Sequence, residues 1–383
     1  MYQLPAESTN ILFEDIWIDG AQSNFQKLSA SVTIRRSIVT DAFEPNGSHV
    51  QGIFYSGNRD GILRIEESIL MRNGFKSNPK TTAWPPTGDQ IWSVYSRNLY
   101  LSGETRNMDS QFVDSVSLMG ASGDQFRPGM KVERNFFYQG YVLMAASGGY
   151  DPAPGPTGTV KSNVIQRFKG SGTNDNRGQP GWGVYLMGGA NEVDVSDNIV
   201  SGAQHPAEDF AVELNGVDWD CGTRYAWQPT SNNRIHSNIL DSGTAKGAIR
   251  IKDGAAGKCA DIYRFPGVVG NAVSDNVMIN STLRASSHLQ TGGTTWTTTD
   301  TAFSNNRLYA NRADAAAALG WRDPNRTLKS YLISQGLPVT SSDGYMEYYK
   351  LAVDMRRGRW RPELTSRAIA NYIRDGFGRA ALQ

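Results

Sequence analysis

Three short segments carry side chains suited to acid–base chemistry beside a carboxylate: GVYLMGG (183–189), AVELNG (211–216) and AIRIKDG (248–254). Side chains of an extended chain alternate between two faces. With Val184, Leu186, Val212, Leu214, Ile249 and Ile251 turned to a core, Tyr185, Met187, Glu213, Asn215, Arg250 and Lys252 share the other face as a polar, aromatic strip. Elimination at a uronic acid needs a cation to neutralise the carboxylate, a base for the C5 proton and an acid for the leaving oxygen. Arg250 and Lys252 meet the first need. Lys252, Tyr185 and His205, in the turn AQHPAEDF before Glu213, can meet the others once neighbours move their pKa values. The plainer alternative is a cross-strand ion pair, Glu213 with Arg250, on a wet face and worth well under about 1 kcal/mol.

Hydrolysis would need two carboxyls about 5 to 9.5 Å apart, which Glu213 with Asp209, Asp218, Asp220 or Asp253 could provide. Of the four histidines, His49, His205, His236 and His288, only His205 is a candidate acid or base, since His236 lies inside a repeat. No His and Cys cluster has metal-ligand spacing; scattered acids could bind Ca²⁺, and no cofactor is required. Phosphate-binding loops are absent too.

These segments need a scaffold that stacks them in register, and the sequence supplies one. KVERNFF, TVKSNVI, DVSDNIV, RIHSNIL, AVSDNVM and AFSNNRL each carry Asn at the fifth place, at Asn135, Asn163, Asn198, Asn238, Asn276 and Asn306. Their spacing falls within the period of about 20 to 50 residues that marks solenoids. Weaker upstream copies, ILFEDIW, TIRRSIV, RIEESIL and SQFVDSV, put Asp15, Ser37 and Ser68 in a similar slot. A buried Asn at one turn of each coil predicts a ladder in which the amide donates to one neighbour and accepts from the other. A second strand precedes each motif, in GIFYSG (52–57), NLYLSG (98–103), DQFRPG (124–129) and the three segments above. The expected fold is all-β: a right-handed, single-stranded parallel β-helix of about ten coils. Coils about 4.8 Å apart would make Tyr185, Glu213 and Arg250 a column within reach of one sugar, with Asn215 beside it. Tyr100 and Arg127 would extend that surface.

Insertions at 76–90, 148–157 and 218–228 bring Trp84, Tyr150, Trp219, Tyr225 and Trp227, rings able to wall a sugar groove or simply to pack against the coils. Trp219, Trp227 and Asp253 are the substrate-binding candidates among these irregular parts. After residue 311 the pattern changes: ADAAAALGW, TLKSYLISQGL and SRAIANYIRDGFG have helical periodicity. The expected division is therefore a β-helix over 1–311 and a mostly helical cap over 312–383.

Composition agrees with this class and narrows the partners. The 39% hydrophobic content and 40 glycines suit short strands and turns. Charge balance, 38 Lys and Arg against 37 Asp and Glu, gives no global field for nucleic acid or an anionic membrane. No apolar run reaches the roughly 20 residues of a membrane span. Cys221 and Cys259 permit one bridge at most. The N-terminus MYQLPAESTN has no signal-peptide pattern, so the expected setting is extracellular or periplasmic with the leader removed, or virion-associated.

HVQGIFYSGNRDGILRIEESILMRNGF, RNLYLSG, FRPGMKVERNFF, TGTVKSNVI and GWGVYLMGG together resemble bacterial and phage right-handed parallel β-helix repeat proteins of the pectate-lyase-like superfamily. The tail GRWRPELTSRAIANYIRDGFG is similar to endings in the same group. The resemblance implies the fold over nearly the whole chain. It leaves activity open among polysaccharide lyases, glycoside hydrolases, C5 epimerases and tailspike depolymerases. RIKDG resembles a polygalacturonase segment in which Arg and Lys bind substrate carboxylate, but no Asn-Thr-Asp, Asp-Asp or Gly-His-Gly accompanies it. The expectation is an enzyme that depolymerises an acidic exopolysaccharide, most simply by β-elimination, as a monomer or homotrimer. A tailspike-like hydrolase and a non-catalytic polysaccharide-binding β-helix are the alternatives.

Overall fold

The computed structural model describes residues 10–20, 25–28, 30–46, 49–55, 61–80, 96–101, 109–127, 129–145, 157–168, 181–187, 189–202, 210–216, 230–242, 248–252, 268–279, 289–291, 301–355 and 359–383. For 26–28, 145, 252 and 289–291 this is the backbone alone. The seven-residue motif is not one strand but two, hinged at its centre. In KVERNFF, strand Lys131–Glu133 ends at Arg134, and Phe136–Tyr138 begins after Asn135. The residue before each ladder Asn is left-handed, with φ from 54° to 58° at Arg134, Ser162, Asp197, Ser237, Asp275 and Asn305. One left-handed residue turns the chain through the corner without a loop, so the bend has constant length in every coil.

Repetition of this unit gives three all-parallel sheets. Two have ten strands, before and after the bend, and the third has nine. Each strand pairs with its equivalents one coil below and one above, as in Lys131↔Thr159 and Phe136↔Val164. The architecture is a parallel β-helix, as the repeat predicts. Its interior is a single apolar column that includes Val132, Phe137, Val160, Ile165, Val195, Val200, Ile235 and Leu240.

The polar groups at the bend are satisfied by the predicted ladder. Asn198 Nδ2 donates to Asn238 Oδ1 at 2.9 Å and to the Val160 carbonyl at 2.8 Å, while Asn198 Oδ1 accepts from the backbone N and Nδ2 of Asn163, each at 3.0 Å. The same pattern joins Asn135 to Asn163, Asn238 to Asn276 and Asn276 to Asn306. Toward the N-terminus serine takes the slot: Ser115 N donates to Asn135 Oδ1, Ser68 N to Ser115 Oγ and Ser37 N to Ser68 Oγ. Asp15, assigned to the slot from sequence, is instead the left-handed residue (φ 52°), and Ile16 occupies the ladder position. Two shorter ladders escaped the repeat alignment: Asn233 to Asn271, and Asn73 to Asn98.

The C-terminal segment is helical, as predicted: α1 (Arg312–Leu319), α2 (Leu328–Ser334), α3 (Tyr345–Asp354) and α4 (Ser366–Gly376). Asn311, Thr327 and Thr365 cap three of them, each side chain accepting an N–H of the first turn. Sequence periodicity missed α3, whose N-terminus has no side-chain cap. The helices cover a flank. Their buried Tyr331, Leu332, Tyr345, Tyr348, Ile369 and Ile373 pack on outward side chains of the second sheet, from Ile38 through Phe136 to Ile279. That sheet is therefore apolar on both faces, as a parallel sheet must be when it is covered on both.

Candidate active site

The strip predicted from alternation lies on the third sheet. Trp182–Met187, Phe210–Asn215 and Ile249–Lys252 are consecutive strands there, with Tyr185↔Glu213↔Arg250 and Met187↔Asn215↔Lys252 in register. Val184, Leu186, Val212, Leu214, Ile249 and Ile251 all belong to the interior column. Two strands absent from the sequence reading, Val142–Ala145 and Leu289–Thr291, extend the sheet on either side.

Sequence reasoning expected an open, wet strip. The structure buries it: Glu213 and Asn215 are each 1% exposed and Tyr185 6%. The packing is polar and mutual. Trp182 Nε1 donates to Glu213 Oε2 at 2.5 Å; Asn215 Nδ2 donates to the Tyr185 hydroxyl at 2.5 Å and to Glu213 Oε1 at 3.2 Å. The Trp182 and Tyr185 rings stack at 4.3 Å with planes 15° apart, and Tyr141 meets Trp182 edge-on at 5.3 Å. Arg250 Nη1 stands 3.7 Å from Glu213 Oε2, and its guanidinium lies 5.2 Å over the Phe210 ring. So the pair is not the wet surface bridge of the plainer alternative, because the carboxylate has left water while the Arg250 side chain keeps 21% exposure. Arg250 Nε is buried without a hydrogen-bond partner.

Burial first, and then the Glu213 carboxylate, push the Tyr185 hydroxyl well above its ordinary pKa. It is a neutral phenol at every physiological pH. In that form it is a hydrogen-bonding or proton-donating group.

Trp182 was missed because strict alternation sends it inward with Val184. The alternation slips at Gly183: a Cβ there would meet the core residue Val200 at 2.2 Å and the Ala211 carbonyl at 2.6 Å. Gly183 and Val184 thus both face the interior, and Trp182 is turned outward. Ala211 with Val212, and Ala248 with Ile249, repeat the slip in the next coils. The legible signal is the stacked row of small residues, Gly183, Ala211 and Ala248, one position before the interior valines and isoleucine.

Further down the sheet, Tyr100, Gln125 and Leu143 continue the column toward Tyr185. Arg127 is not on a strand as predicted but in the turn after Asp124–Phe126, with its guanidinium 5.4 Å from the Tyr100 ring, which stacks on Phe54 at 5.4 Å. The Leu143 coil separates this group from Tyr185. Of the remaining candidates, Lys252 is placed by its backbone register alone, and His205, Trp219, Trp227 and Asp253 lie outside the described residues, as do Cys221 and Cys259. His236, read as structural, bridges to Asp194 at 3.1 Å. Among the described residues no group of three or more His, Cys, Asp or Glu could hold a metal ion, and no helix is long and apolar enough to cross a membrane.

No protein-family model and no curated protein matches the chain. Among solved structures, a mannuronic acid specific polysaccharide family 6 lyase enzyme from human gut microbiota is similar over 95% of this chain and 81% of its own. The identity is 14% and the TM-score 0.35, too distant to carry an argument about activity.

Proposed function

We propose that the protein depolymerises an acidic, uronic-acid-containing polysaccharide by β-elimination on the third sheet, outside the cell or on a virion. The observation that carries this reading is the column Tyr185–Glu213–Arg250: a neutral phenol and a guanidinium with a spare donor, held side by side by one buried carboxylate.

Each group has one task. Arg250 binds the uronate carboxylate and stabilises the charge that develops when C5–H is broken. Glu213 does not touch the sugar; it orients Arg250, Trp182 and Asn215. Lys252, on the same strand as Arg250 and in register with Asn215, is assigned the C5 proton, which it takes as the free amine. The C4–O bond breaks as the C4=C5 double bond forms. Tyr185 accepts from Asn215 and so keeps its own hydrogen to give to the leaving oxygen. No cofactor enters the balance. Arg127 lies two coils away and Tyr100 three, a second contact for a longer chain.

The test is to incubate the protein with a panel of uronic-acid polymers, following absorbance near 235 nm and reducing ends together. New absorbance supports elimination. Reducing ends without it mean hydrolysis, with Glu213 and one of Asp209, Asp218, Asp220 or Asp253, and overturn the reading. Neither signal across the panel means a binding protein. Arg250→Ala is expected to lower turnover at least 10³-fold, and unchanged turnover removes this strip as the site.

A further inference from the structure

The helical cap meets the second sheet along a cavity of about 170 Å³ that is distinct in its residues from the third-sheet strip. It lies beside three stacked strand ends, at Tyr138, Gln166–Arg167 and Ser201–Gly202, and is closed by α2 and the segments flanking it. Four cations line it, Arg167, Arg312, Arg326 and Lys329, against one acid, Asp343. The guanidiniums are held in place from behind or beside: Arg167 by Asp343 at 3.2 Å, Arg312 by Asp241 and Arg326 by Asp375 at 2.7 Å. Arg312 also donates to Asn325 Oδ1 at 2.9 Å and Arg326 to the Tyr372 carbonyl at 2.8 Å, which still does not exhaust the five donors of a guanidinium. Lys329 on α2 contacts the Ser342 carbonyl at 3.5 Å and, among the described residues, has no acid partner.

A second observation points to the ligand. Gln166, 4% exposed, donates its Nε2 to the Arg326 carbonyl at 2.9 Å, which fixes which end of the amide is oxygen. Its Oε1 is buried with no partner. A buried acceptor left alone costs about 1–3 kcal/mol, and a bound hydroxyl would relieve it.

We propose that this cavity binds a small hydroxylated anion, a single sugar unit carrying one acid group. The acid faces Lys329 and the remaining donors of Arg312 and Arg326, and a ring hydroxyl donates to Gln166 Oε1. The volume is below the roughly 300–1,000 Å³ of sites for drug-sized ligands, which suits one ring rather than a chain. Binding here bridges the solenoid, through Gln166 and Arg167, to the cap, through Arg326 and Lys329. The inference stands without the proposed elimination chemistry, since none of the residues given catalytic roles lines the cavity.

Isothermal titration of the full chain with D-glucuronate, glucose and acetate tests it. Saturable glucuronate binding is expected, with glucose and acetate each at least tenfold weaker. Lys329→Glu should weaken glucuronate at least tenfold and Lys329→Gln about threefold to fivefold, both with unchanged circular dichroism, while the Lys329-dependent binding persists in Arg250→Ala. No saturation, equal binding of glucose or acetate, or indifference to both Lys329 variants overturns the proposal. Loss of binding in Arg250→Ala with retention in Lys329→Glu would put the sugar on the third sheet and overturn it equally. Depolymerase activity, read separately, is expected to survive Lys329→Gln.

Discussion

Glu213 is a carboxylate with almost no water, and its bonds to Trp182, Asn215 and Arg250 decide what its removal does. Glu213→Ala would leave Trp182 Nε1 without its acceptor and Arg250 without its counter-charge. Breaking a buried pair costs about 3–5 kcal/mol; with Arg250 partly solvated, a loss of about 2–3 kcal/mol is expected in urea denaturation, and Glu213→Gln should lose less. Asp124 offers a second residue-scale test. Burial pushes its carboxyl up to about 7, opposed by hydrogen bonds from Ser117 and the Leu99 N–H and by the charge of Arg97. A raised carboxyl pKa means that the folded chain holds a proton that the unfolded chain has released. Stability therefore falls as pH rises from about 4 to about 7, by up to about 4 kcal/mol. Asp124→Asn should flatten that part of a plot of denaturation midpoint against pH. An unaltered slope would mean that Asp124 ionises normally.

At the scale of the element, the bend was legible and the burial of the strip was not. The Asn motif could be read because its geometry needs a fixed residue at a fixed place: a left-handed corner, then an amide. Alternation likewise put Tyr185, Glu213 and Arg250 in one column. It failed at Trp182, where the slip at Gly183 reverses the faces, because a local two-residue period carries no trace of a break caused by a neighbouring coil. The burial of the strip was invisible for a similar reason, since it rests on the rings of Trp182, Tyr141 and Phe210 packed across neighbouring coils. The ladder makes its own prediction. Asn198→Ala removes two donated and two accepted hydrogen bonds inside the protein, and at about 1 kcal/mol each, with orphaned partners added, should cost about 4 kcal/mol. Asn135→Ser should cost less than half of this, because serine already fills the next slot at Ser115, where Ser115 N and Oγ keep the ladder going. Equal losses in the two variants would show that the amide ladder is not what stabilises the corner.

Over the whole molecule, the cap and the solenoid are keyed together at the corners. Arg374 of α4 bonds the Asp197 carboxylate at 2.7 Å and its carbonyl at 3.1 Å, Ser366 donates to the Arg134 carbonyl, and Arg379 to that of Ser237. Each of those three partners is a left-handed residue. The corner that shapes every coil thus also presents the docking row for the helices. Arg374 is 3% exposed, so Arg374→Ala should loosen the cap by about 3 kcal/mol. The expected readout is faster protease cleavage within 312–383, with the strand signal in circular dichroism preserved. Cleavage at the parental rate would mean that apolar packing alone holds the cap.

The ladder also gives the molecule an electrical direction. From Asn135 to Asn276 each amide donates one hydrogen to the asparagine of the next coil and the other to a carbonyl of the coil before, while every amide oxygen from Asn135 to Asn306 accepts from the N-terminal side. Six side-chain dipoles therefore align head to tail along the axis, each polarising the next. The positive end emerges at Asn306, whose own Nδ2 turns back to the Val273 carbonyl. At the opposite end the hydroxyls of Ser115, Ser68 and Ser37 each donate to the carbonyl two residues back in their own coil, so the row of amide dipoles stops there. The two ends of the solenoid are thus unlike: the one at Asn306 favours acceptors and anions, and the one at Ser37 favours neither sign.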